Sequence, residues 1–399
     1  MAVEKPAIEG GTPVRDTVLP YATQWIRQEE IDAVVEVLKS GWLTGGPKVR
    51  EFEAALCGVT GAEHAVAVNS CTAALHISVV SQGIGPGDEV ITSPMTFIAT
   101  ATAVLYAGGT PVFADVAEGT VNIDPADVER RVTEKTRAIM PVHYAGNPVD
   151  LDTIHAIARK HGLRVIEDAA HAVGAEYGGR RIGTHSDAAC FSFHAIKNAT
   201  CAEGGAVTTN DAELAEQLRT LRFFGIPMDA FKRASSPAPW HYEMTQLGFK
   251  YNTTDIQCAL GVVQLGRIDE LNARRGEIHD AYNEAFADMP EIETPELTPG
   301  TKSAYHMYVV KLDTDALRVG RDDILAALRA ENIFANIHYM PAYRHPYFAG
   351  KFGFDPAEYP VAEKVSARAV TLPLFPKMSG ADIEDVLTAV RKVISFYRK

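Results

Sequence analysis

Cysteine is scarce in this chain: Cys57, Cys71, Cys190, Cys201 and Cys258 are its only five in 399 residues, widely spaced and without a CxxC pair. An odd, scattered set excludes a disulfide framework and a thiolate zinc site, and points to free thiols in or near the core. Long apolar runs are missing too. No stretch approaches the ~20 apolar residues of a membrane span, and the opening MAVEKPAIEGGTPVRD has no apolar centre of the signal-peptide kind. Basic residues are outnumbered 38 to 51, and the net charge of -13 disfavours nonspecific attachment to nucleic acid or to an anionic membrane. A cytoplasmic location with no nucleic-acid or membrane partner is therefore expected, and an anionic substrate would need a local basic pocket. Of 13 histidines, His143, His171, His185 and His194 crowd one region without HExxH or a comparable ligand spacing, so no metal is expected.

With 46% hydrophobic and 22% charged residues the chain can bury a large core, and its length suits two domains. Short apolar runs rich in β-branched residues alternate with helical patterns: HAVAVN then TAALHISVV, EVITSP then FIATATAVLYAG, TPVFADV then DPADVERRV, RAIMPVHY then DLDTIHAIARKHG, and finally RVIEDAA. This alternation predicts an α/β fold of parallel βαβ units, with helices on both faces of a mostly parallel central sheet. From 253 to about 289 apolar residues recur at helical spacing without an internal proline, which predicts one long helix joining two domains. Beyond it, strand-like YHMYVVKLD and helical DDILAALRAENI and GADIEDVLTAVRKVISFYRK predict a smaller C-terminal α+β domain. The expected division is an N-terminal arm over 1–20, a large α/β domain over 21–270 and a small domain over 271–399.

In open α/β sheets ligands bind beyond the carboxyl ends of the strands, and the chemically suggestive residues fall there. EDAAHAVGAEYGGRRIGTHSDAACFSFHAIKNATCAEGG places a lone cation, Lys197, just after a strand that should be buried. A lysine is rarely buried unpaired, so Lys197 either reaches solvent in a loop or lends its amine to a site. Asn69, Ser70, Cys71 and Thr72 end the strand AVAVN and open a helix. Amides and a hydroxyl there suit a phosphate, although Ser and Thr are also ordinary N-caps. Asp168 closes RVIED and either caps the next helix or pairs with a cation such as a protonated pyridine nitrogen. Strand alternation in ACFSFHAIK turns Ser192 and His194 one way and the phenylalanines the other, while a lone histidine is ordinarily a satisfied core residue. Phe97 could stack on a flat ring or simply belong to the core.

Jointly these elements match what pyridoxal phosphate asks of a protein. Its aldehyde needs a lysine amine, its ring nitrogen a carboxylate, and its phosphate N–H and hydroxyl donors. The segments VIEDAAHAVG, FSFHAIKNATCAEGG and GFKYNTTDIQCALG carry a further resemblance. From GWLTGGPKVREFE (41–53) to its end the chain resembles the DegT/DnrJ/EryC1/StrS family of sugar aminotransferases, within fold type I of the pyridoxal phosphate enzymes.

That resemblance implies a role for each matching position. Lys197 would be the Schiff-base lysine and proton shuttle, Asp168 would hold the pyridine nitrogen, and Ser192 with Cys71 and Thr72 would bind the phosphate. His171 would sit near the cofactor oxygen, Phe97 would stack on the ring, and Asn252 would reach a cofactor phosphate oxygen across the interface of a homodimer with shared active sites. His338 and His194 would lie near the sugar, with Trp42, Thr44 and Arg233 as further substrate contacts. L-Glutamate would be the amino donor, leaving as 2-oxoglutarate, and the cofactor would alternate with its pyridoxamine form.

The acceptor is expected to be a nucleotide-linked 4-keto sugar, because HAIKNATCAEGG is closer to the 4-keto enzymes of the family than to the PGKNLGA and GDGG of 3-keto members. PVHYAGNPVDLD resembles most the enzymes that aminate a UDP-4-keto-pentose, and relatives acting on 4-keto-6-deoxyhexoses share much of the pattern. Some sugar-dehydrating members carry histidine where this chain has Lys197, so the lysine argues for transamination over a lyase or dehydratase, and still more against a noncatalytic binding protein. Two positions depart from the family pattern, Phe224 in LRFFGI and Tyr343 in HYMPAY, and both were expected at the sugar pocket.

Overall fold

Each apolar β-branched run becomes a strand, and the helix that follows covers it. The computed structural model describes residues 4–227 and 240–399. In chain order the strands are β1 (His64–Val68), β2 (Glu89–Thr92), β3 (Thr110–Phe113), β4 (Thr136–Met140), β5 (Arg164–Asp168), β6 (Glu176–Tyr177), β7 (Arg180–Arg181), β8 (Ala188–Ser192) and β9 (Gly205–Thr209). Beyond residue 290 come β10 (Ile292–Glu293), β11 (Thr301–Lys302), β12 (Tyr308–Leu312) and β13 (Ala369–Leu372). A seven-stranded sheet in the order β1-β9-β8-β5-β4-β2-β3 forms the centre. The pairs from β8 through β5, β4 and β2 to β3 are parallel, as predicted. The β9 segment GAVTT was not foreseen as a strand; it runs antiparallel between β1 and β8.

β9 places the site. Gly205 pairs with Val68 at the end of β1 and with Ser192 at the end of β8, so the helix opening after β1 stands beside the chain leaving β8. A Cβ on Gly205 would lie 2.3 Å from the Ser70 carbonyl carbon and 2.5 Å from the Cys71 nitrogen. Only glycine permits this approach.

The expected long helix over 253–289 is two helices, Asp255–Gly266 and Ile268–Phe286, separated at Arg267 (φ -109, ψ 4). Arg267 Nη1 donates to Glu30 Oε1 at 2.6 Å, tying the break to the helix Gln28–Ser40. The break lets Ile268 serve the core of the large sheet while Ile278, Tyr282 and Phe286 fill a second core with β12, β13 and the helix Gly380–Tyr397. Met95 and Phe113 pack with Tyr343 and Phe348 in a further cluster that joins the two regions. Residues 4–21 lie along the second core: the Ala7 and Val14 amides donate to Glu331 at 2.7 and 2.8 Å, and Leu374 N donates to Tyr21 O at 3.1 Å. All five cysteines are free.

Candidate active site

The carboxyl ends of β1, β2, β5 and β8 surround a cavity of about 560 Å³, within the range of small-molecule sites. Cys71, Thr72, Phe97, Asp168, His171, Ser192, His194, Lys197 and His338 all line it, so most of the residues singled out in the sequence meet in one place.

Asp168 ends β5, where parallel pairing to β4 and β8 buries the strand on both faces. Its carboxylate does not face the cavity loosely: Thr100 Oγ1 donates to Oδ2 at 2.7 Å and Ala170 N to Oδ1 at 3.1 Å. Thr96 stands behind Thr100 at 2.7 Å and completes a hydroxyl chain that orients it. Burial holds the Asp168 carboxyl above its usual range, against the downward pull of those hydrogen bonds and of Lys197. A buried carboxylate with raised pKa is a group waiting for a cation.

Lys197 follows β8 in a loop closed by Lys197 N to His194 O at 2.9 Å and Cys201 N to Phe193 O at 2.8 Å. The residue is half-buried and opens on the cavity, and among the described residues its amine has no hydrogen bond or ion pair. Burial pushes it from 10.5 down to about 8, with Cys71 and Asp168 pulling the other way. The lone cation of the sequence is thus neither a surface lysine nor a paired one.

Opposite stands the N-terminus of the helix Cys71–Ser81. The capping reading of NSCT holds: Ser70 accepts from Ala73 N at 3.1 Å, and Cys71 and Thr72 in the first turn line the cavity with Ser192. Burial drives the Cys71 thiol well above its ordinary value, so it remains a neutral group in this turn. Phe97 is 61% exposed and forms a wall of the cavity, not part of the core.

Three histidines complete the cavity's far side. His171 stacks on His306 at 4.4 Å and faces Tyr339 Oη at 3.4 Å, and its Nδ1 is buried with no partner among the described residues. Burial holds it well below its usual pKa. His338 is pushed down to about 4 by burial and then by Lys197, and its Nδ1 meets Thr371 Oγ1 at 2.8 Å. His194 lies beyond the last strand residue, Ser192, so it reaches the cavity from the loop and not by strand alternation.

Several expected contacts are elsewhere. Thr44 and Asn252 line a separate cleft of about 420 Å³, and Trp42 lines neither. The reason is local: Asp255 accepts from Gly46 N and Lys48 N at 2.7 and 2.9 Å, pinning the 41–46 segment to the start of the helix Asp255–Gly266. Tyr343 is not at the sugar pocket; it is buried and its hydroxyl donates to Glu363 at 2.8 Å. Phe224 also lies away from the cavity, over Lys250. Arg233 falls outside the described residues. Conversely, no local pattern marked Thr100, Tyr21, Tyr339 or His345, which line the cavity from distant segments. Thr100 was hidden in a helical pattern, and Tyr21 in the N-terminal arm.

A helix N-terminus for a phosphate, a buried carboxylate for a ring nitrogen and an uncharged-prone lysine amine in one cavity fit pyridoxal phosphate, as does the glycine-only approach of Gly205 beneath the phosphate turn. The fold and this site define a pyridoxal-phosphate-dependent enzyme of the aminotransferase type. Residues 24–391 match the DegT/DnrJ/EryC1/StrS aminotransferase family, and the chain belongs to it. It is 46% identical over 381 residues to the spore coat polysaccharide biosynthesis protein SpsC of Bacillus subtilis, covering 95% of this chain and 98% of that one. A putative sugar aminotransferase of Streptococcus pneumoniae, Spr1654, superposes in its PMP form with a TM-score of 0.89 at 32% identity, covering 95% of this chain and 99% of its own. Its PLP form gives the same TM-score of 0.89. DesI, solved in the presence of its TDP-sugar product, superposes with a TM-score of 0.86 at 32% identity, covering 99% of this chain and 98% of its own. The protein is a sugar aminotransferase with the fold type I architecture, and not a noncatalytic relative of it.

Proposed function

We propose that the protein transfers the amino group of L-glutamate to C4 of a nucleotide-linked 4-keto sugar, a UDP-4-keto-pentose or a 4-keto-6-deoxyhexose, for amino-sugar or polysaccharide synthesis. The observation that carries it is the Lys197 amine, unpaired and opening on the cavity that Asp168 also lines. The TDP-sugar product of DesI and the polysaccharide role in the name of SpsC support a nucleotide sugar as acceptor.

Pyridoxal phosphate, when bound, supplies an aldehyde that takes up the amino group and a ring that holds the electron pair released at the reacting carbon. The chain does the rest. Cys71, Thr72 and Ser192 would hold the phosphate, and Asp168, fixed by Thr100 and the Ala170 amide, would keep a proton on the ring nitrogen. Phe97 would cover one face of the ring. Lys197 Nζ, with its pKa lowered by burial to about 8, has an accessible free-amine form and would move the proton between the amino-acid carbon and the cofactor carbon. His171 and His338, uncharged at neutral pH because burial lowers both, would present neutral imidazole, His171 to the cofactor oxygen and His338 to the sugar.

Residues 21–270 act in this reading as the cofactor domain and 271–399 as a small domain that brings His338. A homodimer with shared sites is part of it. Ile31, Val35 and Leu38 project at helical spacing from Gln28–Ser40, 48%, 37% and 57% exposed, and Trp42 and Leu43 continue the apolar strip. Asn252, in its separate cleft, would then reach the partner's cofactor, and Thr44 in the same cleft would contact the substrate there.

The absorption spectrum of the purified protein before and after excess L-glutamate, with Lys197→Ala in parallel, tests the reading. Conversion from the lysine-linked spectrum to that of pyridoxamine phosphate in the wild type alone supports it, and a screen of UDP- and dTDP-4-keto sugars with product mass then identifies the acceptor. A wild type that shows no lysine-linked spectrum with added cofactor, or none that responds to an amino donor, sinks it.

A further inference from the structure

The residue after the reactive lysine is more tightly held than any role described so far requires. Asn198 is 3% exposed, and its carboxamide is fully engaged. Nδ2 donates to Asn272 Oδ1 at 2.7 Å and to Ala304 O at 2.6 Å. Because Ala304 O only accepts, these contacts fix which end of the carboxamide is nitrogen. Oδ1 is therefore the atom facing His306 Nδ1 at 2.8 Å, and the His306 proton sits on Nδ1. Asn272 is oriented in turn by Nδ2 donating to Val173 O at 3.0 Å.

His306 is equally fixed. Its ring stacks on His171 of the cavity at 4.4 Å with 28° between planes, its amide donates to Ala145 O at 2.9 Å, and Arg275 Nη1 donates to its carbonyl at 3.2 Å and to Leu374 O at 3.1 Å. Arg275 is 2% exposed. Asn198 and Asn272 are each hydrogen-bonded at both ends of the carboxamide, while Arg275 Nε and His171 Nδ1 have no partner among the described residues; it is the paired carboxamides that restrict the local arrangement. The network runs from the lysine loop through the 303–307 segment to the imidazole that lines the cavity.

We propose that Asn198 and His306 are positioning residues that hold the Lys197 loop so that its amine faces the cofactor aldehyde, an inference that rests on the cofactor role given to Lys197. Neither residue lines the same cavity wall as the phosphate turn, so their effect falls on capture of the aldehyde by the lysine and spares binding of phosphate and ring.

Two measurements on cofactor-freed protein separate these effects. The first is the rate at which borohydride fixes pyridoxal phosphate on Lys197, read by peptide mass. The second is the Kd of pyridoxamine phosphate, which has no aldehyde and reports the phosphate and ring sites alone. In Asn198→Ala and His306→Phe, capture on Lys197 is expected to slow at least tenfold while the pyridoxamine phosphate Kd changes by less than threefold. His306→Phe keeps an aromatic ring against His171 and removes the Nδ1–H donor together with Nε2, so it carries the comparison if Asn198→Ala does not fold. Capture at the wild-type rate in a folded variant, or a parallel loss of capture and binding, overturns the proposal. A wild type in which borohydride fixes no cofactor on Lys197 overturns the aminotransferase reading itself.

Discussion

At the scale of single residues the site is governed by burial. Lys197 and Asp168 line one cavity, yet desolvation lowers the amine and raises the carboxyl, and the attraction between them offsets only part of each shift. Below about pH 8 the amine is mostly protonated and above it mostly free, whereas an ordinary lysine changes at 10.5. Competitive labelling of the cofactor-freed protein with acetic anhydride should therefore give Lys197 a reactivity midpoint near about 8; titration with the bulk lysines would contradict the burial argument. Asp168→Asn removes a buried charge that has no firm cationic partner until cofactor arrives. Cofactor affinity should fall by about 2–5 kcal/mol, while the thermal midpoint of the cofactor-freed protein holds or rises, because the desolvation penalty goes with the charge. A large fall in that midpoint would mean that Asp168 is chiefly structural.

At the scale of elements, β9 is the part that builds the site. A single antiparallel strand between β1 and β8 brings the Cys71–Ser81 helix terminus beside Ser192, and Gly205 sets the distance. Gly205→Ala should cost about 1–3 kcal/mol as an overpacked contact, because the added carbon would meet backbone atoms at 2.3–2.5 Å that no rotamer can relieve. Denaturant unfolding and phosphate-dependent cofactor binding should both weaken; a variant with native stability and affinity would refute this spacing role. The long apolar periodicity over 253–289 predicted helix correctly and continuity wrongly. Helical spacing reports which face is apolar, and it does not report that Arg267 is drawn to Glu30 and turns the chain between two cores.

At the scale of the whole molecule, the N-terminal arm reaches the cavity because a distant buried pair anchors it. Lys392 Nζ meets Glu331 Oε2 at 3.1 Å and donates to Thr12 O at 2.6 Å, and Glu331 accepts from the Ala7 and Val14 amides. Glu331→Gln leaves the buried ammonium with only the exposed Glu4, at 3.4 Å, as counter-charge, and removing the buried partner of such a pair costs up to about 3–5 kcal/mol. The arm over 4–20 should then become open to limited proteolysis, and Tyr21 should leave the cavity; an arm as resistant as the wild type's would show that the pair does not hold it. The apolar strip on Gln28–Ser40 makes a separate test of assembly. Val35→Glu should convert the proposed dimer to a monomer in sedimentation velocity while circular dichroism keeps the native helix and strand content, and an unchanged sedimentation coefficient would remove this face as the interface.

The sequence by itself determined the strand and helix alternation, the end of the sheet at which the candidate site lies, and the places of Lys197, Asp168, Ser192 and the turn at Cys71 along it. Those follow from near-neighbour patterns: continuous apolar β-branched runs, a cap before a helix, a charge at a strand end. Only the tertiary structure decided that Thr100 orients Asp168 across 68 residues, that Asn198 meets His306 across 108, and that Thr44 and Asn252 stand apart from the cavity of their own chain. Such contacts depend on how elements pack, and no local spacing encodes a hydrogen bond between segments that meet only when the core closes.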